Sequence, residues 1–206
     1  MPPRPAENQH DRALALLRRN GIARLAEFQQ AGITAATISR LEAAGMISRL
    51  ARGLYQLPDA PVDANHTLAE AAKLVPKGVI CLTSALAFHE LTDQIPARVW
   101  LAIGPKDWRP RRKYPPMRFA HFSIRQLKIG VEHHRIEGVS VPIFSVPKTV
   151  ADLFRYRRTV GINVAIEGLR EAIRQRKATP GEIARHAAEA GVWKVMEPYM
   201  SALTHG

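Results

Sequence analysis

Residues 20–57 read as helix, turn, helix and hairpin in about the length of a winged helix-turn-helix, and this order of parts constrains the fold more than any other feature. Ile22, Leu25 and Phe28 share one face of an expected helix over 22–30, and Gly32 supplies the backbone freedom of a tight turn. Thr34 is placed to cap the next helix, in which Thr34, Thr37, Ile38, Leu41 and Ala44 fall on one side. Gly45 stands where a left-handed C-terminal cap belongs. The opposite side carries Ala36, Ser39, Arg40 and Ala43, short enough to let a helix backbone enter a major groove, with Arg40 long enough to reach a base edge or phosphate. Strands over 47–50 and 54–57 would form a hairpin around Ala51, Arg52 and Gly53, putting Arg49 and Arg52 near a wing tip. The expected DNA-contacting residues are therefore Thr34, Ala36, Ser39, Arg40, Arg49 and Arg52. The competing reading is a helical hairpin that serves only as a scaffold.

A chain of 206 residues, 46% hydrophobic and 23% charged, has room for one medium core or two small ones. The expected fold is α+β: a lead-in without structure over 1–10, a winged helix-turn-helix over 11–60, and a mixed α/β C-terminal domain over 61–206 that ends in several helices. A net charge of +12 points to a polyanion, either nucleic acid or an acidic protein surface. The charge is uneven: residues 1–62 hold eight Lys or Arg against five Asp or Glu, and residues 98–135 hold ten against two. Cys81 is the single cysteine, which excludes an intramolecular disulfide and a cysteine-based metal cage and suits a reducing, cytoplasmic setting. No stretch is apolar and long enough for a signal h-region or a membrane span, so no membrane association is expected.

Past residue 61, a helix is expected over His66–Leu74, with Pro76 as its stop, then a short strand over 79–82 and a brief helix capped by Ser84. Val99–Ile103 reads as a buried strand, residues 118–122 and Val131–Ile136 as further strands, and Val139–Phe144 as the return of a hairpin across Glu137 and Gly138. Pro147 can start a helix with Val150, Leu153 and Phe154 inward, leaving Lys148, Asp152 and Arg155 toward solvent or a partner. Ile162, Ile166, Leu169 and Ile173 mark an amphipathic helix whose outer Glu167 and Glu171 can pair with Arg170 and Arg174. Thr179, Pro180 and Glu182 form a capping box, and Pro198 should kink or restart the last helix.

Marks of catalysis are missing. No two glycines lie within two residues of each other, so neither a dinucleotide fingerprint nor a phosphate-cradling loop can be drawn. There is no Asp-x-Asp, and no acid stands two residues before a lysine as a restriction-type nuclease would require. His133 and His134 would point to opposite faces of a strand, and Ser84 lacks the glycines of a nucleophile elbow. No catalytic residue, metal or cofactor is expected. The run Trp108 to Tyr114 interleaves aromatics with Arg109, Arg111, Arg112 and Lys113, as a single-strand or phosphate-binding surface would; a solvated loop is the plain alternative.

Three stretches, in this order and spacing, carry a resemblance: Gly45-Met-Ile-Ser-Arg-Leu-Ala-Arg-Gly-Leu-Tyr55, then Pro76-Lys-Gly-Val-Ile-Cys-Leu-Thr-Ser-Ala-Leu-Ala-Phe-His89 with Leu91 and Thr92, then Ser145-Val-Pro-Lys-Thr-Val-Ala-Asp-Leu-Phe-Arg155. From about residue 20 to 203 the chain resembles the AbiEi antitoxins of type IV toxin-antitoxin systems. The resemblance implies a winged helix that represses its own operon at promoter repeats, a C-terminal domain that counters a nucleotidyltransferase-like toxin, directly or indirectly, and a place in phage defence. It makes Lys148, Thr149, Asp152 and Arg155 the expected toxin-neutralising surface. The reading of a different class is a protein-interaction module whose basic C-terminal surface sequesters an acidic partner. Whether the chain reads DNA as a monomer or a dimer is left open.

Overall fold

The computed structural model describes residues 8–61, 63–110 and 114–204. The chain divides into two compact units, the first made of residues 1–76 and 134–141, the second of residues 77–133 and 142–206.

In the first unit, helix α1 (Gln9–Asn20) starts where the Asn8 side chain accepts the Asp11 N–H at 2.9 Å, and ends at Gly21, whose φ of 65° places it among left-handed conformations. The expected lead-in falls on residues 1–7, outside the described residues, except at residues 8–10, which form the cap and first turn of α1. The helix expected over 22–30 is corrected by the structure: it begins as strand β1 (Ile22–Arg24), and only Leu25–Gln30 is helical, as α2. The reason lies thirty residues downstream: β1 pairs antiparallel with β3 (Leu54–Gln56), which also pairs with β2 (Ser48–Ala51), giving the order β1-β3-β2. Between them runs α3 (Ala35–Ala43), and α4 (His66–Leu74) follows as expected. Leu17, Phe28, Ile33, Ile38, Leu41 and Ile47 form the centre of the core.

The second unit carries β4 (Val79–Ile80), α5 (Leu82–Phe88), β5 (Val99–Ile103), β6 (Met117–His121), a 3-10 turn at Gln126–Lys128, and most of the sheet completed by β7 (Val131–Ile136) and β8 (Val139–Phe144). Strand order is β6-β5-β4-β8-β7, mixed, with β4 antiparallel to β5 but parallel to β8, and β5 parallel to β6. Five helices complete it: α6 (Val146–Arg155), α7 (Arg157–Val160), α8 (Ile162–Arg174), α9 (Pro180–Glu189) and α10 (Trp193–Thr204). Thr179 and Glu182 make the expected capping box on α9. Ser84 is not the cap of α5: Cys81 holds that position, and the Ser84 hydroxyl accepts the Trp100 N–H at 2.9 Å, tying α5 to β5. Pro198 marks no restart, because it lies inside one continuous helix held by buried Met196 and Met200. The fully buried face of α8 is Ala165, Gly168, Leu169 and Ala172, with Ile162, Ile166 and Ile173 half-buried beside it.

Candidate nucleic-acid interface

Two local interactions fix α3 in place. Thr34 caps it, its hydroxyl accepting the Thr37 N–H at 3.3 Å, and Gln9 Oε1 on α1 accepts from the Thr34 N–H at 3.1 Å and the Thr37 hydroxyl at 2.8 Å. Ile38 and Leu41 are buried, which turns Ala36, Ser39, Arg40 and Ala43 to solvent. At the other end Gly45 has φ 68°, and the Met46 N–H returns to Leu41 O at 3.0 Å, so the chain leaves the helix sharply and enters β2. The turn of the β2–β3 hairpin holds Arg52 and Gly53, and Gly53 O accepts the Leu25 N–H at 2.9 Å, fastening the turn to the start of α2. A register shift between Arg49 and Ala51 bends β2. Arg49 lies opposite Tyr55 and 3.9 Å from Glu42 of α3, an exposed pair too weak to compete with a phosphate but sufficient to orient the guanidinium beside the helix. Glu27, on α2, is occupied: it accepts the Arg24 N–H at 2.8 Å and pairs with Lys73 at 2.7 Å.

Thus the first unit presents a short-chained helix face with one arginine, followed directly by a hairpin bearing two more. Residues 11–58 match the family model described as a transcriptional regulator, AbiEi antitoxin. Over this segment the chain is similar to AbiEi antitoxin regulators. The crystal structure of the RV2827C protein from Mycobacterium tuberculosis is similar over 98% of this chain and 83% of that one, with a TM-score of 0.57 and 12% identity, a likeness of fold alone. No curated protein sequence matches the chain.

The residues that the AbiEi resemblance pointed to in the second unit are placed differently from expectation. Lys148 is 3% exposed, and Thr149 and Asp152 are 0% exposed, so they are not on a surface; Arg155 alone of the four is exposed, with a hydrogen bond to Ala190 O at 3.2 Å. The cause is tertiary. Helix α6 packs against α5, α8, α9 and α10, so no side of its middle turns reaches water. Lys148 Nζ donates to both Asp152 oxygens at 2.6 Å and sits over the rings of Phe122 and Phe144 at 5.0 and 4.8 Å. Burial pushes the Asp152 carboxyl up to about 6 even with the ammonium beside it. Thr149 donates to Phe144 O at 3.1 Å.

Of the basic run, Arg109 bonds the ring of His121, and Arg111, Arg112 and Lys113 lie outside the described residues. Cys81 is buried, and desolvation raises its thiol well above the ordinary range. Among the described residues, no group of three or more His, Cys, Asp or Glu is placed to hold a metal ion. No helix of the described residues is long and apolar enough to cross a membrane.

One charged cluster in the first unit was not visible in sequence. His66 Nδ1 meets Glu137 Oε2 at 2.7 Å, Glu137 Oε1 accepts the Asp63 N–H at 2.6 Å, and His66 Nε2 is 3.7 Å from fully buried Glu70. Its partners stand 71 residues apart, and only the spacing of His66 and Glu70 on one helix face could have hinted at it.

Proposed function

We propose that the chain is a DNA-binding antitoxin that represses its own operon, with a winged helix-turn-helix over 11–60 and a C-terminal part over 61–206 that counters a nucleotidyltransferase-like toxin. The observation that carries the reading is the exposed face of α3, where Ala36, Ser39 and Ala43 leave room for a major groove and Arg40 reaches into it. Arg49 and Arg52, on the hairpin that follows, would hold phosphates, and Thr34 would set the helix N-terminus rather than read a base. The match of residues 11–58 to AbiEi regulators supports this use of the segment. In this reading the protein works in the cytoplasm, without catalysis of its own, and toxin contact falls to exposed groups such as Arg155 rather than to the interior pair beside it.

Electrophoretic mobility shift of the DNA upstream of the gene, against scrambled DNA of equal length at about 150 mM salt, tests the proposal. A specificity ratio above about a thousand is expected, lost largely on Arg40→Ala with Arg52→Ala. Equal weak binding to both DNAs would overturn it and leave the +12 charge as a nonspecific attraction.

A further inference from the structure

A concave surface of about 660 Å³ lies in the second unit, where residues following β5 meet edge strand β6, and its lining includes Lys106, Trp108, Arg109, Phe119 and His121. Trp108 is 74% exposed. A lone exposed apolar side chain needs no explanation, but this one stands among cations beside a hydrogen-bonded turn at residues 104–107. Asp107, the acid lining the surface, is already engaged: its Oδ2 accepts the Gly104 N–H at 2.8 Å, and Oδ1 lies 4.0 Å from Lys77. A Cβ at Gly104 would come within 2.7 Å of that Oδ2, so the turn closes around the bond.

The histidine settles the state of Arg109. His121 Nδ1 is 3.1 Å from Gly104 O, which can only accept, so the ring proton sits on Nδ1. Nε2 is then an acceptor, and it takes its hydrogen bond from the Arg109 guanidinium. Arg109 is thus oriented by the His121 ring, and among the described residues no carboxylate forms an ion pair with it. The Tyr156 hydroxyl donates to His121 O at 2.6 Å and fixes the strand end beneath.

We propose that this surface binds single-stranded nucleic acid, with a base stacked on Trp108 and phosphates held by Lys106 and Arg109. A duplex keeps its bases in the stack and offers an indole no flat partner, whereas a single strand presents a base and a phosphate at each step. The site is therefore distinct in ligand from the face of α3.

Fluorescence anisotropy of the full chain with labelled oligouridylate and oligothymidylate of about twelve nucleotides tests it, with the promoter duplex titrated alongside. Trp108→Ala should weaken single-strand binding about tenfold or more with little change in salt slope. Arg109→Ala should flatten that slope by about 0.7. Tighter binding of the RNA would indicate that a 2′-hydroxyl is read, and equal binding that base and phosphate suffice; both support the site. Since both side chains are exposed, matched melting curves confirm that the variants fold. Single-strand affinity unchanged in Trp108→Ala overturns the proposal, as does a partner protein lost from that variant when neither oligonucleotide binds the parent. Duplex binding lost in Arg40→Ala while single-strand binding stays would keep the two readings separate.

Discussion

Lys148 and Asp152 show how far a residue's role depends on what surrounds it. On an exposed helix, an i,i+4 pair of this kind contributes a few tenths of a kcal/mol. Here both charges are out of water, the ammonium lying over the rings of Phe122 and Phe144, and each is compensated mainly by the other. Asp152→Ala would strand the ammonium and is expected to cost about 3–5 kcal/mol in urea unfolding, whereas Lys148→Met combined with Asp152→Leu should recover most of that loss. A cost under about 1 kcal/mol for the single change would mean that the ammonium finds water, contrary to its burial. Glu70 is the opposite case, a buried carboxylate with neither oxygen hydrogen-bonded among the described residues. Burial raises its pKa above the ordinary 4.5, against the pull of His66, while Glu137 adds to the rise. With the folded value above the unfolded one, ionisation of the group adds no cost below pH 4.5, and stability is lost as pH climbs from there through the raised value. Glu70→Gln, uncharged throughout, should therefore melt increasingly above the parent as pH rises past 4.5, with the difference smallest at the acid end. A difference that stays constant with pH would rule out titration of Glu70 as the cause.

At the scale of elements, α8 is positioned by its smallest residue. A Cβ at Gly168 would lie 2.9 Å from Leu86 Cδ1 on α5 and 3.2 Å from Leu153 Cδ1 on α6, so the three helices meet there with no space left. Gly168→Leu should cost about 1–3 kcal/mol by overpacking, despite better helix propensity, and a melting temperature at or above the parent's would show that the three helices can part there. The sequence disclosed α8 by its isoleucines but not this glycine, since a small residue has no hydrophobic signal. What was legible was local: the Thr34 cap and Gly45 exit of α3, the Thr179 box of α9, the uninterrupted apolar run of β5. What was not legible depends on distant partners. Residues 22–24 fit a helical stripe and became a strand only because residues 54–56 come back to pair with them. Lys148 and Asp152 fit a solvent-facing stripe and became interior only because α5, α8 and α9 close around α6. The exposed side of the candidate DNA-reading helix could be read because burial of Ile38 and Leu41 dictates it, while the loop and strand that bring Trp108, Arg109 and His121 together could not.

For the whole molecule, charge and the proposed reading surface part company. The first unit holds ten Lys or Arg against eight Asp or Glu, and the second twenty against ten, so most of the net +12 lies outside the unit that carries α3 and its hairpin. Long-range attraction to DNA scales with phosphates neutralised, and specificity with base contacts, so the two properties should respond to different substitutions. Changing the exposed Arg98, Arg125 and Lys128 of the second unit to Gln should lower affinity for promoter and scrambled duplex by the same factor. The slope of log affinity against log salt would flatten by up to about 0.9 for each phosphate no longer neutralised, and the ratio between the two DNAs would hold. Arg40→Ala should do the reverse, lowering the ratio about tenfold or more if it meets a base edge, with the scrambled duplex little affected. Mobility shifts across a salt series separate these cases. Should the triple change reduce the ratio as well, sequence would be read by the second unit too, and α3 could not be the whole of the reading surface.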